Sequence, residues 1–384
     1  MAKGTCDCLI VGGGPAGCAL AILLAQRGRA VMLVDHGRAH YSGPNETLLG
    51  SSMPMLERTG LGILLTTCAQ PDPLRHGAIW GSDALQWREP GHAGLWLQRG
   101  PFDEAMRTTV AARGVRVVCP ARVRFDDAGG GAKVLFADGR GEHVEPALSI
   151  VATGRSSLQA LVPAREESAG PSTLAFTWVG EPDDSDRGTA VVEAVPEGWI
   201  WTHVPAAGSA SAAVLLDQEQ LEQVGREALL ERAFANARGP ARRLRARQLV
   251  YANDATARYR TTAAKVMLLG DASATIDPLA SQGVEKALAG ADHAAAAVGT
   301  ALQNPEWWPR LRDLHARWER GLFTAHRAVS TAFVQREQRF RSEPFWQRRA
   351  ESAPSDVAPA TGTKLVRAST VLDGNILVRH GDQF

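Results

Sequence analysis

Apolar and polar positions alternate in blocks that change period several times along the chain. The run Cys8-Leu9-Ile10-Val11 is uninterrupted and short, the pattern of a buried strand, and Gly12-Gly13-Gly14-Pro15-Ala16-Gly17 then turns the chain into a helix over Cys18 to Arg27. A second apolar run, Ala30 to Val34, predicts the next strand. A helix is predicted over Leu48 to Gly60, and Pro71 to Trp96 shows little periodicity and reads as an excursion. Phe102, Met106 and Val110 recur at helical spacing after Gln98, and Val115 to Val118 returns as a strand. Ala132 to Ala137 and His143 to Val151, separated by Asp138-Gly139, predict a small antiparallel element whose last residues, Leu148 to Val151, form a buried strand ending at Ala152-Thr153-Gly154.

Farther on, Leu174 to Val179, Ala190 to Ala194, Trp199 to Val204 and Ala212 to Leu216 predict alternating strands, with one long helix over Glu219 to Arg238. Val266 to Asp271 is a further buried strand, Gly283 to Leu302 a helix, and Trp307 to Arg349 a helical, Trp- and Arg-rich tail. A Ser, Pro and Ala-rich stretch, Ser352 to Thr363, precedes a last pair of short strands, and there is no internal repeat. The fold class is α/β: a Rossmann-like domain with an inserted antiparallel-sheet domain and a helical carboxy-terminal region. The expected boundaries are 1–70, 97–157 and 260–303 for a discontinuous nucleotide domain, 71–96 and 158–259 for a substrate domain, and 304–384 for the helical region and tail.

The first block carries specific chemistry. Gly12 supplies a tight turn, Gly14 lets backbone approach a pyrophosphate, and Gly17 lets the helix pack on the strand, with Pro15 and Ala16 opening the helix whose amides face the phosphates. Asp35 ends the second strand about 20 residues on, where a carboxylate accepts ribose hydroxyls. Strand, loop, helix, strand and acid together point to an adenine dinucleotide. The segment Gly270-Asp271 through Pro278, Gln282 and Gly283 adds a carboxylate at the end of a buried strand and a glycine-bearing loop that opens a helix, suited to a ribityl chain and a flavin ring edge.

At these residues the chain resembles the FAD-dependent monooxygenases and tryptophan halogenases of the aromatic hydroxylase fold. Arg99 before Phe102-Asp103 arrives in the same order, and the likeness spans most of residues 5 to 350. It implies that Arg99 contacts FAD, Asp271 the ribityl chain, and Gln282-Gly283 the flavin ring. Gly198 to Pro205 is similar to the halogenase Trp-x-Trp pair, with one residue more before the proline, but no Lys occurs between Lys3 and Lys133, where a halogenase needs one. Ala152-Thr153-Gly154 lacks the aspartate common in hydroxylases, so the electron donor is either NAD(P)H or a separate flavin reductase. A closer resemblance is to flavoproteins that hydroxylate a peptidyl Trp during maturation of the cysteine tryptophylquinone cofactor, carried by Asn45 to Leu48, Thr59 to Leu61, Ala78 to Ser82 and Arg339 to Trp346.

That likeness implies reduced FAD, molecular oxygen and a flavin hydroperoxide that hydroxylates an aromatic ring. Trp199, Trp201 and Trp80 are the expected cavity wall, with His203 or Glu46 as proton acceptor, and His76 and His92 lie in neighbouring segments. A small-molecule aromatic substrate is the alternative to a peptide or protein Trp; a halogenase and a non-catalytic flavoprotein rank below both.

Charge narrows the picture further. Lys plus Arg number 42 and Asp plus Glu 41, so no net field attracts nucleic acid or an anionic membrane. Two arginine runs, Arg238 to Arg247 and Arg336 to Arg349, read as solvated helix faces. Five cysteines without metal spacing read as reduced thiols, and no His, Asp or Glu cluster has metal spacing either. Met-Ala-Lys-Gly leads directly into the first strand and no apolar run has membrane length, so a cytoplasmic location is expected.

Overall fold

The computed structural model describes residues 4–37, 46–48, 53–58, 62, 69–71, 75–87, 95–126, 130–155, 158–280, 282–352, 370–373 and 376–379. Its centre is a sheet in which Arg116–Val118, Val31–Val34, Gly4–Val11 and the end of Gly141–Val151 run parallel, with Val266–Leu268 beyond. The beginning of Gly141–Val151 pairs instead with Ala132–Phe136, which continues antiparallel to Ala121–Phe125. One eleven-residue strand thus carries both sheet types. Helices Pro15–Gln26 and Gly283–Gln303 cover one face, and their Ala- and Gly-rich surfaces pack together in the main core with Leu20, Leu24, Ala291 and Ala295. Helix Arg99–Ala112 adds Phe102, Met106 and Val110 to that core. The first helix starts at Pro15 rather than Cys18, because proline suits the first helical position, where an amide hydrogen has no intrahelical use.

A second sheet holds seven strands in the order Arg245–Asp254, Thr173–Glu181, Ala210–Asp217, Gly198–Val204, Thr189–Val195, Arg75–Ile79 and Gln86–Trp87. All neighbours are antiparallel except Thr189–Val195 with Arg75–Ile79. The low-periodicity stretch after Pro71 therefore supplies sheet-edge strands. One face of this sheet packs on helix Arg226–Asn236; the other carries Trp199 and Leu215 against Trp80, Phe345 and Trp346.

Three sequence expectations change. The single helix over Glu219 to Arg238 is two, Gln218–Val224 and Arg226–Asn236, because Gly225 at φ +91° breaks the ladder. Leu48 lies in the strand Glu46–Leu48, paired with Leu95–Leu97, and helix starts only at Met53. The arginine runs are not merely solvated: Arg238 pairs with Asp83, Arg243 with Asp186, Arg339 with Glu337 and Asp83, and Arg348 and Arg349 with Asp217. Helices Trp308–Arg336 and Pro344–Glu351 close the aromatic face, and Thr370–Asp373 pairs with Ile376–Arg379. No helix among the described residues is long and apolar enough to cross a membrane.

Candidate active site

Gly12 sits where three strands converge, its N–H donating to Val34 O at 2.8 Å and its φ at +116°. A Cβ there would lie 2.3 Å from Ala152 O, and one on Gly17 would lie 1.9 Å from Gly12 O, so both positions admit glycine only. Gly14 differs: nothing lies within 4 Å of where its Cβ would stand. It precedes Pro15, and the first-turn amides of Ala16 and Gly17 have no intrahelical carbonyl to reach. No acidic side chain occupies that first turn. An open cradle, two unclaimed amides and the positive end of the helix dipole suit a pyrophosphate. Asp35, 17% exposed, accepts Gly13 N–H at 2.7 Å and Gly37 N–H at 2.8 Å and so stands at the rim of the same cradle.

The second motif folds against the first. Gly270 has φ +65°, and a Cβ on it would come within 2.8 Å of Ala16 Cβ, so the Gly-Asp turn rests directly on the glycine loop. Asp271 is partly exposed and bonds Arg155 Nε at 2.9 Å through Oδ2, while Arg260 Nη1 donates to its carbonyl at 2.9 Å. Burial pushes the Asp271 carboxyl up, but the Arg155 guanidinium and then the Lys286 ammonium outweigh it and hold it below the ordinary aspartate value, with a smaller pull from Arg99. Arg99 forms an ion pair with Asp103, Nε to Oδ1 3.2 Å, with both side chains largely buried. Half-buried Pro278 opens a short helical turn, Gln282 precedes the helix Gly283–Gln303, and Gly283, like Gly14, has nothing within 4 Å of a Cβ position.

The tryptophan pair lies on the strand Gly198–Val204. His203 is 1% exposed and stacks between two indoles, Trp96 at 5.1 Å and 21° and Trp201 at 5.8 Å and 16°. Their strand neighbours are small, Ala213 opposite Trp201 and Ser211 opposite His203, which leaves width for the rings. Trp199 is packed with Phe345 and Trp346. Trp80 meets Trp346 edge-on at 5.3 Å, and its Nε1–H donates to Phe333 O at 2.8 Å, tying this wall to the long helix. Glu46 faces Leu97 in backbone register, and its side chain lies outside the described residues, as does His92. His76 lies on the strand Arg75–Ile79, partly buried. A recess between the segment Ile276–Asp277 and the long helix is lined by Asp277, Ala255, Phe323, His326, Ser330 and Arg349.

The model of an FAD binding domain matches residues 5–304. The chain belongs to that family. It is similar to a tryptophan 2-halogenase of Chondromyces crocatus, 26% identical over 366 residues, covering 88% of this chain and 69% of the halogenase. In structure it is similar to the peptidyl tryptophan dihydroxylase QhpG, essential for tryptophylquinone cofactor biogenesis, with TM-score 0.72 and 24% identity over 98% of this chain and 86% of QhpG. The myxobacterial chondrochloren halogenase CndH superposes with TM-score 0.76 and 21% identity over 90% of this chain and 86% of CndH. The chain is thus an FAD-binding protein that shares the fold of these flavin-dependent enzymes.

The residues present fit FAD: the Gly14 opening and the free first-turn amides lie on the glycine loop, and the partly exposed Asp271 carboxylate and the Gly283 opening on the second segment, which touches the first where Gly270 meets Ala16. Arg155, Lys286 and Glu319 were not singled out from the sequence. Lys286 had one usable signal, a charge inside a helix that is apolar nearly all round and must therefore be buried.

Proposed function

We propose that this protein is an FAD-dependent monooxygenase that hydroxylates an electron-rich aromatic ring, the Trp side chain of a peptide or protein. The observation that carries this reading is the stack of Trp96, His203 and Trp201, in which the last two rings stand on the seven-stranded sheet whose aromatic face packs with Leu279 and Trp96 comes from the strand Leu95–Leu97. Bound and reduced, FAD supplies the activated oxygen. The chain's own residues then exclude water, orient the ring and take up a proton. Gly12, Gly14, Pro15, Ala16, Gly17, Asp35 and Arg99 hold the adenine dinucleotide end, and Gly270, Asp271, Pro278, Gln282 and Gly283 the flavin end. Trp201 offers an aromatic face to the substrate, while Trp199 and Trp80 stiffen the wall behind it. His203, fixed in plane by two indoles, accepts the proton released when the hydroxylated ring regains aromaticity, with Glu46 as the second candidate.

Residues 71–96 and 158–259 form the substrate side in this reading, 1–70, 97–157 and 260–303 the cofactor side, and 304–384 the closing region. Arg155 stands beside the position where hydroxylases carry an aspartate and is engaged with Asp271, which supports a separate reductase as electron donor. We place the protein in the cytoplasm, where such a donor is present. Halogenation is disfavoured by the absence of any Lys between Lys3 and Lys133.

The test is incubation with FAD, a flavin reductase, NADH and isotopically labelled oxygen, followed by mass spectrometry. Labelled oxygen on the Trp of a peptide supports the reading. Label on phenols or free indoles with inert peptides replaces it with a small-molecule hydroxylase, and no substrate-dependent oxygen uptake with any of them rejects monooxygenation. His203→Ala is expected to lower turnover by about 100-fold, the usual scale for general acid-base catalysis, with FAD affinity unchanged. Unchanged turnover removes His203 from the mechanism.

A further inference from the structure

Behind Asp271, helices Gly283–Gln303 and Trp308–Arg336 enclose a line of ionisable side chains that the proposed reaction does not use. Lys286 is fully buried, its Nζ 3.8 Å from Asp271 Oδ1 and 3.7 Å from Glu319 Oε2. Glu319, also fully buried, lies 3.7 Å from His315 Nε2, and His315 Nδ1 is 3.0 Å from His293 Nδ1. Gly290 makes room for this line, since a Cβ there would come within 3.1 Å of Glu319 Oε1. Side chains in a helix lean toward its N-terminus, so a lysine in the first turn sends its charge back toward the preceding loop. Replacing a buried ion pair by apolar side chains is often neutral or stabilising, so fold stability alone is a weak reason for this one. What distinguishes it is that one ammonium serves two carboxylates, and one of them stands on the cofactor loop.

We propose that Lys286 is a positioning residue for FAD: bridged to the buried Glu319, its ammonium fixes the Asp271 carboxylate at the cofactor loop. The inference rests on the reading of Asp271 as an FAD contact. Five charged groups bear on Asp271: Arg155 after the strand Gly141–Val151, Arg99 on its helix, Lys286, Glu319 across from it, and Arg260, which donates to its carbonyl. His293 and His315, next along the line, are kept neutral by burial, His293 at about 4. A carboxylate whose ionisation is favoured in this way keeps its acceptor capacity until the pH falls through its depressed value. With Lys286 removed, Arg155 remains but the second pull is lost, so the loss must begin at higher pH.

The experiment is fluorescence titration of FAD into the cofactor-free full chain, from about pH 8 down to about pH 3.5, a window that takes in the free aspartate value of about 3.9. Wild type, Asp271→Ala, Lys286→Met and Lys286→Met/Glu319→Leu are compared. The double substitution removes both buried charges together, so it folds even where Lys286→Met alone strands Glu319. Expected are a wild-type melting temperature for the double variant, FAD affinity about tenfold weaker at neutral pH, and a fall in affinity that starts at higher pH than in wild type. A double variant with wild-type affinity and pH profile, while Asp271→Ala binds weakly, overturns the role of Lys286. Wild-type affinity in Asp271→Ala overturns the reading of Asp271, and the inference with it.

Discussion

Gly12→Ala is expected to destabilise the protein by about 3 kcal/mol or more and to abolish FAD binding, whereas Gly14→Ala abolishes tight FAD binding alone. At Gly12 the new methyl group would lie 2.3 Å from Ala152 O and 2.6 Å from Ala152 C, and those are backbone atoms that no rotamer change can move. Retreat is blocked on the other side, because Gly12 N–H is bonded to Val34 O and Ala152 N–H to Val11 O, both at 2.8 Å. The φ of +116° adds backbone strain for any L side chain. Gly14 is the matched control, with nothing within 4 Å of its Cβ position. Alanine there leaves the strands untouched and fills only the cradle, separating the Ala16 and Gly17 amides from the pyrophosphate. Two hydrogen bonds to a charged group are worth about 3 kcal/mol, or roughly a hundredfold in affinity. Thermal denaturation of the cofactor-free proteins and FAD titration separate the two effects. Equal melting temperatures for both variants would sink the account of Gly12, and wild-type affinity in Gly14→Ala would sink that of the cradle.

The same contrast explains what the sequence disclosed. Gly12 and Gly17 are required by backbone clashes and Gly12 and Gly270 by positive φ, so the residue type itself records the geometry, and the strand, loop and helix around them followed. The strands Thr173–Glu181, Thr189–Val195, Gly198–Val204 and Ala210–Asp217 were legible because buried side chains dominate their runs. Arg245–Asp254 was not: it is an edge strand whose inner residues are only half-buried, interrupted by Ala246 at φ +47°, and its arginines give no apolar alternation. Trp96 stacking on His203 joins positions 107 residues apart by number through a three-stranded sheet of short strands, too brief to show a period. The Asp271, Lys286 and Glu319 line was hidden for a related reason. A salt bridge between distant positions leaves no spacing, and Glu319, set among Arg317 and Arg320, reads like any surface helix residue until the fold buries it.

Asp217→Ala is expected to cost about 3–5 kcal/mol and to loosen the aromatic wall more than the cofactor site. This carboxylate is 2% exposed by side chain and takes Arg348 Nη2 and Arg349 Nη1, each at 3.0 Å. Its Oδ1 also accepts Glu219 N–H at 2.9 Å, capping the helix Gln218–Val224. Removing it takes the carboxylate from Arg349, while Arg348 keeps Glu219 at 3.1 Å; Arg349, 10% exposed and stacked 3.6 Å over Phe345, cannot reach water without leaving its place. Helix Pro344–Glu351 then loses its ion pairs to the sheet, keeping the Arg349 Nη2 bond to Thr173 Oγ1 at 2.6 Å and the Trp346 Nε1–H bond to Val195 O at 2.8 Å. Trp346 packs on Trp80, and Trp80 is bonded to Phe333, so movement of that helix reaches the wall that carries Trp199 and Trp201. Turnover should therefore fall further than FAD affinity, and limited proteolysis should cut near the helix first. Arg348→Ala is the mild comparison, since Arg348 is 24% exposed and Arg349 still satisfies Asp217. Chemical denaturation placing Asp217→Ala within about 1 kcal/mol of wild type would show that apolar packing of Phe345 and Trp346 alone secures the helix.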